Sequence, residues 1–236
     1  MLEVRNIAFA YSRSVLRDVS FVVSPGETVS LVGDNGAGKT TLLRILATLL
    51  TPTSGMVLSD GQNAFSHPLR YRRLLGYLPE KLSLYEDMRV KEYLTYRAEL
   101  KGEPGKRIRR RIGEACEICR IGADIERSPI RRLSAGQKKR VALADALLLR
   151  PRVLLLDDFL AGLDTSIRGI AGEMLSDAAS FSSVIVTGHE IDDMMKWSTR
   201  FLVLKNGVIS ASVSAQGADR AELRSRIDLA LQGVGA

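Results

Sequence analysis

A strand-length apolar run, ETVSLV, breaks off into GDNGAGKT, and KTTLLRILATLL follows with its apolar residues at helical spacing. No other feature constrains the fold as tightly. Gly33 to Thr40 fits G-x-x-x-x-G-K-[ST] at every fixed position, and it sits between a strand and a helix, the context this motif requires. Glycines let a backbone wrap closely around an anion, while successive N–H groups and the positive end of the following helix point at phosphates. Gly33, Asn35, Gly36, Gly38, Lys39, Thr40 and Thr41 are therefore the candidate phosphate-binding residues. Lys39 would reach the terminal phosphates, and the Thr40 hydroxyl would hold Mg²⁺. A nucleoside triphosphate is the expected ligand.

The rest of the chain alternates in the same way. Leu75 to Leu78, Val153 to Leu156, Val184 to Thr187 and Phe201 to Leu204 are short apolar runs of strand length, the last leading into an Asn206-Gly207 hairpin signal. Between Arg89 and Leu149 the pattern turns to helices with almost no strands. The expected class is α/β: a P-loop core with a mostly parallel sheet, antiparallel strands at the N-terminus and an inserted helical subdomain. One domain of 236 residues is expected, with a core over 1–82 and 150–215, the helical subdomain over 83–149 and a C-terminal helix over 217–233.

Composition narrows the partners. The longest apolar runs, around Val153 to Leu156 and Ala142 to Leu149, stop well short of the ~20 residues that cross a bilayer. The N-terminus, MLEVRNIAFAYSRS, lacks the pattern of an export signal, so a cytoplasmic location is expected. Cys116 and Cys119 are too few for a zinc site, with His67 and His189 as the chain's two histidines. The net charge of +7 concentrates at Lys106, Arg107, Arg109, Arg110 and Arg111, a run that suits either nucleic acid or anionic headgroups, or a solvated helix face.

A second signal selects among P-loop proteins. LSAGQ, Leu133 to Gln137, opens a helical run, and VLLLDD follows at Val153 to Asp158. Together with GDNGAGKT, in this order and spacing, the chain resembles the ATP-binding cassette (ABC) family, whose signature sequence is LSGGQ, over nearly its whole length. The resemblance implies ATP as ligand and Mg²⁺ as cofactor. Tyr11 matches the aromatic that stacks on adenine. Asp157 matches the Walker B aspartate of the Mg²⁺ shell, and Glu80, in GYLPE, matches a position that also serves the metal. His189, in VIVTGHE, matches the histidine that bonds the γ-phosphate. Ser134, Gly136 and Gln137 match the signature residues that meet ATP held by an opposite subunit, and Asp164, in AGLD, matches a contact between paired subunits.

Three positions depart from the family pattern. Asp158 stands where a glutamate usually polarises the attacking water; the missing methylene withdraws the carboxylate by roughly 1.5 Å, so a slow ATPase is expected. Phe159 replaces a common proline, and Glu80 a common glutamine. With 93 residues between Thr40 and Ser134 the chain has no room for the long coiled-coil insertion of chromosome-associated members, and it carries one cassette rather than two. It looks like the energising subunit of a transporter, pairing with a second cassette, identical or not, and with a separate transmembrane permease. Tyr85 and Glu86 are candidate contacts to that permease. Within the family, GYLPE and the YEDM phrase look most like drug and sodium exporters. The rival expectation is a regulatory ATPase that binds nucleic acid through the basic run; nucleic acid is the less favoured partner.

Overall fold

The structure, a computed structural model, describes residues 1–163 and 165–233, with Ser166 described by its backbone alone. Two sheets organise it. Strands β1 (Leu2–Ala10), β2 (Ser14–Val23), β4 (Ser54–Ser59) and β5 (Gln62–Asn63) form an antiparallel sheet in the order β2-β1-β4-β5. Strands β3 (Thr28–Val32), β6 (Leu75–Leu78), β7 (Val153–Leu156), β8 (Ser183–Thr187), β9 (Arg200–Lys205) and β10 (Val208–Ser214) form a six-stranded sheet in the order β10-β9-β3-β8-β7-β6. Five of its strands are parallel; β10 alone runs back, paired to β9 with Val208 opposite Lys205. The turn between them places Asn206 at φ 49° and Gly207 at φ 78°, the left-handed pair that the Asn-Gly signal foretells.

The parallel strands read as continuous apolar runs because both faces are buried. Val153 and Leu155 of β7 face a core shared with the antiparallel sheet and with α1 (Lys39–Leu46), while Leu154 and Leu156 face a second core. The second core includes α7 (Thr165–Ala179) and the helices inserted between β6 and β7: α3 (Val90–Leu100), α4 (Gly105–Ile118) and α6 (Ala135–Leu147), with the short α5 (Ala123–Arg127) alongside. Helices α2 (Pro68–Arg72) and α8 (Ile191–Met194) are single turns, and α9 (Arg220–Gln232) closes the chain with Leu223 and Ile227 in the second core. Asp219 caps α9, its carboxylate accepting from the Glu222 N–H at 2.8 Å. The expected P-loop α/β architecture is therefore present. Its topology brings the C-terminal ends of β3, β6, β7 and β8 to one edge, the customary ligand side of an open parallel sheet.

Candidate functional site

Each of those four strand ends delivers part of the site. Gly33 follows β3 directly, Glu80 lies two residues past β6, Asp157 and Asp158 follow β7, and His189 lies two residues past β8. The segments that follow these strands enclose a cavity of about 410 Å³ lined by Asn35, Gly36, Gly38, Lys39, Thr40, Thr41, Glu80, Asp157, Asp158 and His189, with Val15, Thr187 and Gly188 completing the wall. Ten of the residues that the motifs single out thus meet in one place.

The loop's shape depends on its glycines. A Cβ on Gly33 would lie 2.1 Å from the Leu204 carbonyl oxygen of β9, so its role here is close packing of loop on sheet, and it does not line the cavity. Gly38 caps α1 at φ 107°, where a side chain would strike Leu16 at 2.8 Å. Lys39, the first residue of α1, donates to the carbonyls of Gly33 at 2.6 Å and Asp34 at 3.0 Å. Burial lowers its pKa, against the opposing charges of Asp158, Asp34 and Asp157.

Asp157 is 2% exposed. One carboxylate oxygen, Oδ1, accepts from Thr187 Oγ1 at 2.8 Å and from Thr40 Oγ1 at 3.2 Å. The other, Oδ2, is buried with no hydrogen-bond partner. Burial pushes this carboxyl up; the two hydroxyls pull it down, and the charges of Glu80 and Asp158 raise it further. A buried acceptor without a donor costs stability, and a divalent cation would complete it. The donor set suits Mg²⁺, which takes one or two carboxylates and a hydroxyl and fills its octahedron from phosphates and water. Accordingly no cluster of three or more Asp, Glu, His or Cys capable of holding a metal alone occurs among the described residues.

Asp158 adopts φ 50°, a left-handed backbone that costs a non-glycine residue about 1–2 kcal/mol. Its N–H donates to Thr187 Oγ1 at 2.9 Å. Thr187 therefore links both acids: it receives from the Asp158 backbone and donates to the Asp157 carboxylate. No motif points to Thr187; its one signal in the sequence is a hydroxyl at the last position of a strand, two residues before His189. Phe159, the departure from proline, is 1% exposed and packs in the second core.

Tyr11 lies in an adjoining depression of about 720 Å³ that shares Val15, Asn35 and Gly36 with the first cavity. Tyr11 is 56% exposed, and its ring meets Phe9 edge-on at 4.8 Å between centroids. Arg13 and Arg17 line the same depression and had drawn no attention in the sequence. The signature residues stand apart. Ser134 caps α6, its Oγ accepting from the Gln137 N–H at 3.2 Å while Gln137 Oε1 accepts from the Ser134 N–H at 2.9 Å. Neither they nor Gly136 line the cavity around Lys39. Asp164 lies outside the described residues. Tyr85 is half exposed, in ring contact with Tyr93 and Tyr96, whereas Glu86 accepts from Lys138 at 2.6 Å.

Known proteins resemble the chain over nearly all of this. The ABC transporter family model matches residues 16–161. The ABC transporter ATP-binding protein YxlF of Bacillus subtilis is 34% identical over 211 residues, 89% of this chain and 70% of that one. The sulfate/thiosulfate import ATP-binding protein CysA of Methylococcus capsulatus is 35% identical over 222 residues, 91% of this chain but only 63% of that protein's length. Among solved structures, an ATP-binding subunit of an ABC transporter superposes with a TM-score of 0.83 at 28% identity, covering 97% of this chain and 99% of that one. CbiO1 of Clostridium perfringens, part of the ABC transporter complex CbiONQ, gives 0.84 at 26% identity over 98% and 95%. With the P-loop, the paired aspartates and the strand-end histidine converging in one cavity, the chain belongs to the ABC transporter family as an ATP-binding subunit.

Proposed function

We propose that the chain hydrolyses ATP to drive a separate membrane permease. The observation that carries this reading is the convergence of Lys39, Thr40, Glu80, Asp157, Asp158 and His189 on one cavity, with an Asp157 oxygen left for a cation. Tyr11 stacks on the base; the N–H groups of Asn35 to Thr41 and the Lys39 ammonium hold the phosphates. Thr40, Asp157 and Glu80 would hold Mg²⁺, which neutralises phosphate charge. Asp158 accepts a proton from the attacking water, and His189 hydrogen-bonds the γ-phosphate. Having one methylene fewer than glutamate, Asp158 turns ATP over slowly.

Ser134, Gly136 and Gln137 begin a helix, where free N–H groups favour an anion. Their separation from the Lys39 cavity supports a role against the ATP of a second cassette, with Asp164 in the same contact. Two cassettes, alike or different, close around two ATP molecules and reopen after hydrolysis. No helix among the described residues is long and apolar enough to cross a membrane, which supports peripheral attachment at the cytoplasmic face through the permease. The exposed ring of Tyr85 is the candidate contact there, with Glu86 beside it. Export is the direction supported by the GYLPE and YEDM phrases; the name of the CysA relative favours import instead. The basic run supports nucleic acid poorly, because Arg110 pairs with Glu114 at 3.6 Å and Arg111 with Glu103 at 3.4 Å.

The test is MgATP turnover and ATP-dependent dimerisation of wild type, Lys39→Ala, Asp158→Glu and Asp158→Asn. Wild type is expected to turn over slowly, Asp158→Glu faster, and Asp158→Asn and Lys39→Ala to lose activity by about a hundredfold or more. Normal turnover by Lys39→Ala would sink the reading.

A further inference from the structure

Lys139 lines no part of the cavity, and its side chain ends directly behind the residue that the chemistry needs most. It sits one turn into α6 and is 6% exposed. Its ammonium donates to the Asp158 carbonyl at 2.6 Å and to the Ala161 carbonyl at 2.7 Å. The Ala161 N–H reaches the same Asp158 carbonyl at 3.3 Å, closing the turn. On its other side the Asp158 N–H is taken by Thr187 Oγ1 at 2.9 Å. The left-handed Asp158 backbone, φ 50°, is thereby anchored at both of its peptide groups.

That anchoring matters more for an aspartate than for a glutamate. A glutamate can correct a small backbone displacement through one additional side-chain torsion, whereas the position of an aspartate carboxylate follows its backbone closely. Buried lysines are costly; this one is held by two carbonyls, and among the described residues no side-chain carboxylate lies within hydrogen-bond range of it. Burial lowers its pKa, while the charges of Asp158, Glu190 and Glu80 favour the ammonium.

We infer that Lys139 is a positioning residue for ATP hydrolysis: it fixes the backbone of Asp158 from the signature helix, so that the short carboxylate is aimed at the attacking water. The inference rests on the proposed role of Asp158 as base. It also joins two parts of the molecule, since the helix that begins at Ser134 holds the loop that carries Asp158, and a shift of one is felt by the other.

The experiment compares wild type, Lys139→Met, Lys139→Arg and Lys139→Met/Asp158→Asn as full chains, reading kcat and KM for MgATP together with thermal unfolding. Methionine keeps the length of the stem and removes the donors; arginine can still bridge two carbonyls. Lys139→Met is expected to lower kcat by about tenfold, in line with the sensitivity of catalysis to sub-ångström displacement, with KM unchanged within about twofold. Lys139→Arg is expected to recover most of kcat, and the double variant to be no slower than Asp158→Asn alone. Should Lys139→Met not fold, Lys139→Gln replaces it, with an expected loss of about threefold in kcat at constant KM because its amide is too short to reach both carbonyls. An unchanged kcat in the donorless variant, a fall in melting temperature as the only effect, or multiplying losses in the double variant would each overturn the inference while leaving Asp158 as base. A wild type without turnover would remove both readings together.

Discussion

Two buried aspartates close different parts of this molecule, and their surroundings are opposite. Asp145, on α6, is 9% exposed, and its carboxylate accepts from Lys101 Nζ at 2.7 Å, Arg97 Nε at 3.0 Å and the Tyr93 hydroxyl at 3.1 Å. Burial alone would raise its pKa, but Lys101 and Arg97 overcome that and hold it below the usual carboxylate range. Asp157 is 2% exposed, bonds to no cation among the described residues and keeps Oδ2 unpaired, and burial pushes its carboxyl up. A buried carboxylate with both oxygens engaged by cations or a hydroxyl serves the fold. Asp157, beside the loop Gly33 to Thr40, keeps one buried oxygen without a donor, and this is the oxygen to which the proposed cation role falls. The difference teaches that burial and charge do not separate the two acids, whereas completeness of hydrogen bonding does, and the incomplete one is the acid for which a metal role is proposed.

Exchanging each for asparagine breaks the comparison in stages. Turnover should separate them most: Asp157→Asn is expected to lower MgATP hydrolysis by at least about a hundredfold, through loss of metal-dependent charge stabilisation. Asp145→Asn should stay within about threefold of wild type, because it touches neither phosphate nor metal. Steady-state phosphate release reads both.

Stability should then move in opposite directions. Asp145→Asn leaves two partly buried cations underpaired and is expected to cost about 2–3 kcal/mol in urea unfolding with metal chelated. Asp157→Asn removes an underpaired buried charge and is expected to stabilise by about 0.5–1 kcal/mol, as functional residues often do when neutralised. The signs with pH follow from the shifts. The Asp145 contribution is present above the ordinary aspartate pKa of about 3.9 and is lost as pH falls through its lower folded value. For Asp157 the folded pKa is raised, so its ionisation costs stability at neutral pH and that cost fades as pH falls through the raised value. A gain from Asp145→Asn, or a loss from Asp157→Asn at neutral pH, would break the contrast.

The smallest effect concerns how closed the helical region is. Cys116, whose thiol burial pushes up to about 12, and Cys119, which burial also raises well above the usual thiol range, lie in the core beside α6. Alkylation at pH 8 is expected to proceed only as fast as the protein opens, and to speed up by about tenfold or more in Asp145→Asn if that aspartate holds the region together.

What the sequence disclosed follows a physical division. Residues whose role depends on order along the chain were legible: the loop Gly33 to Thr40, the strand Val153 to Leu156 with Asp157 behind it, the Asn206-Gly207 turn and the helix at Ser134. Roles created by long-range contact were not. Lys139 reads as one cation in a helical run, and only the fold brings it to the carbonyls of residues 158 and 161. The left-handed backbone of Asp158 and the bridging hydroxyl of Thr187 were hidden for the same reason, and so was the Asp145 network, whose partners Arg97 and Lys101 lie on a different helix or just beyond its end. Gly33 carries a second constraint that its place in the motif does not announce: a Cβ there would lie 2.1 Å from the Leu204 carbonyl oxygen, so the loop needs a glycine to pack on the sheet.

The hydrogen bonds from Lys39 to the carbonyls of Gly33 and Asp34 bear on how firmly this loop can grip. An ammonium has three donors, and with two of them given to its own loop one N–H is left for an arriving anion. The two backbone bonds also set the direction of that remaining donor, so a phosphate drawn to the loop would meet an N–H already aimed rather than one free to swing.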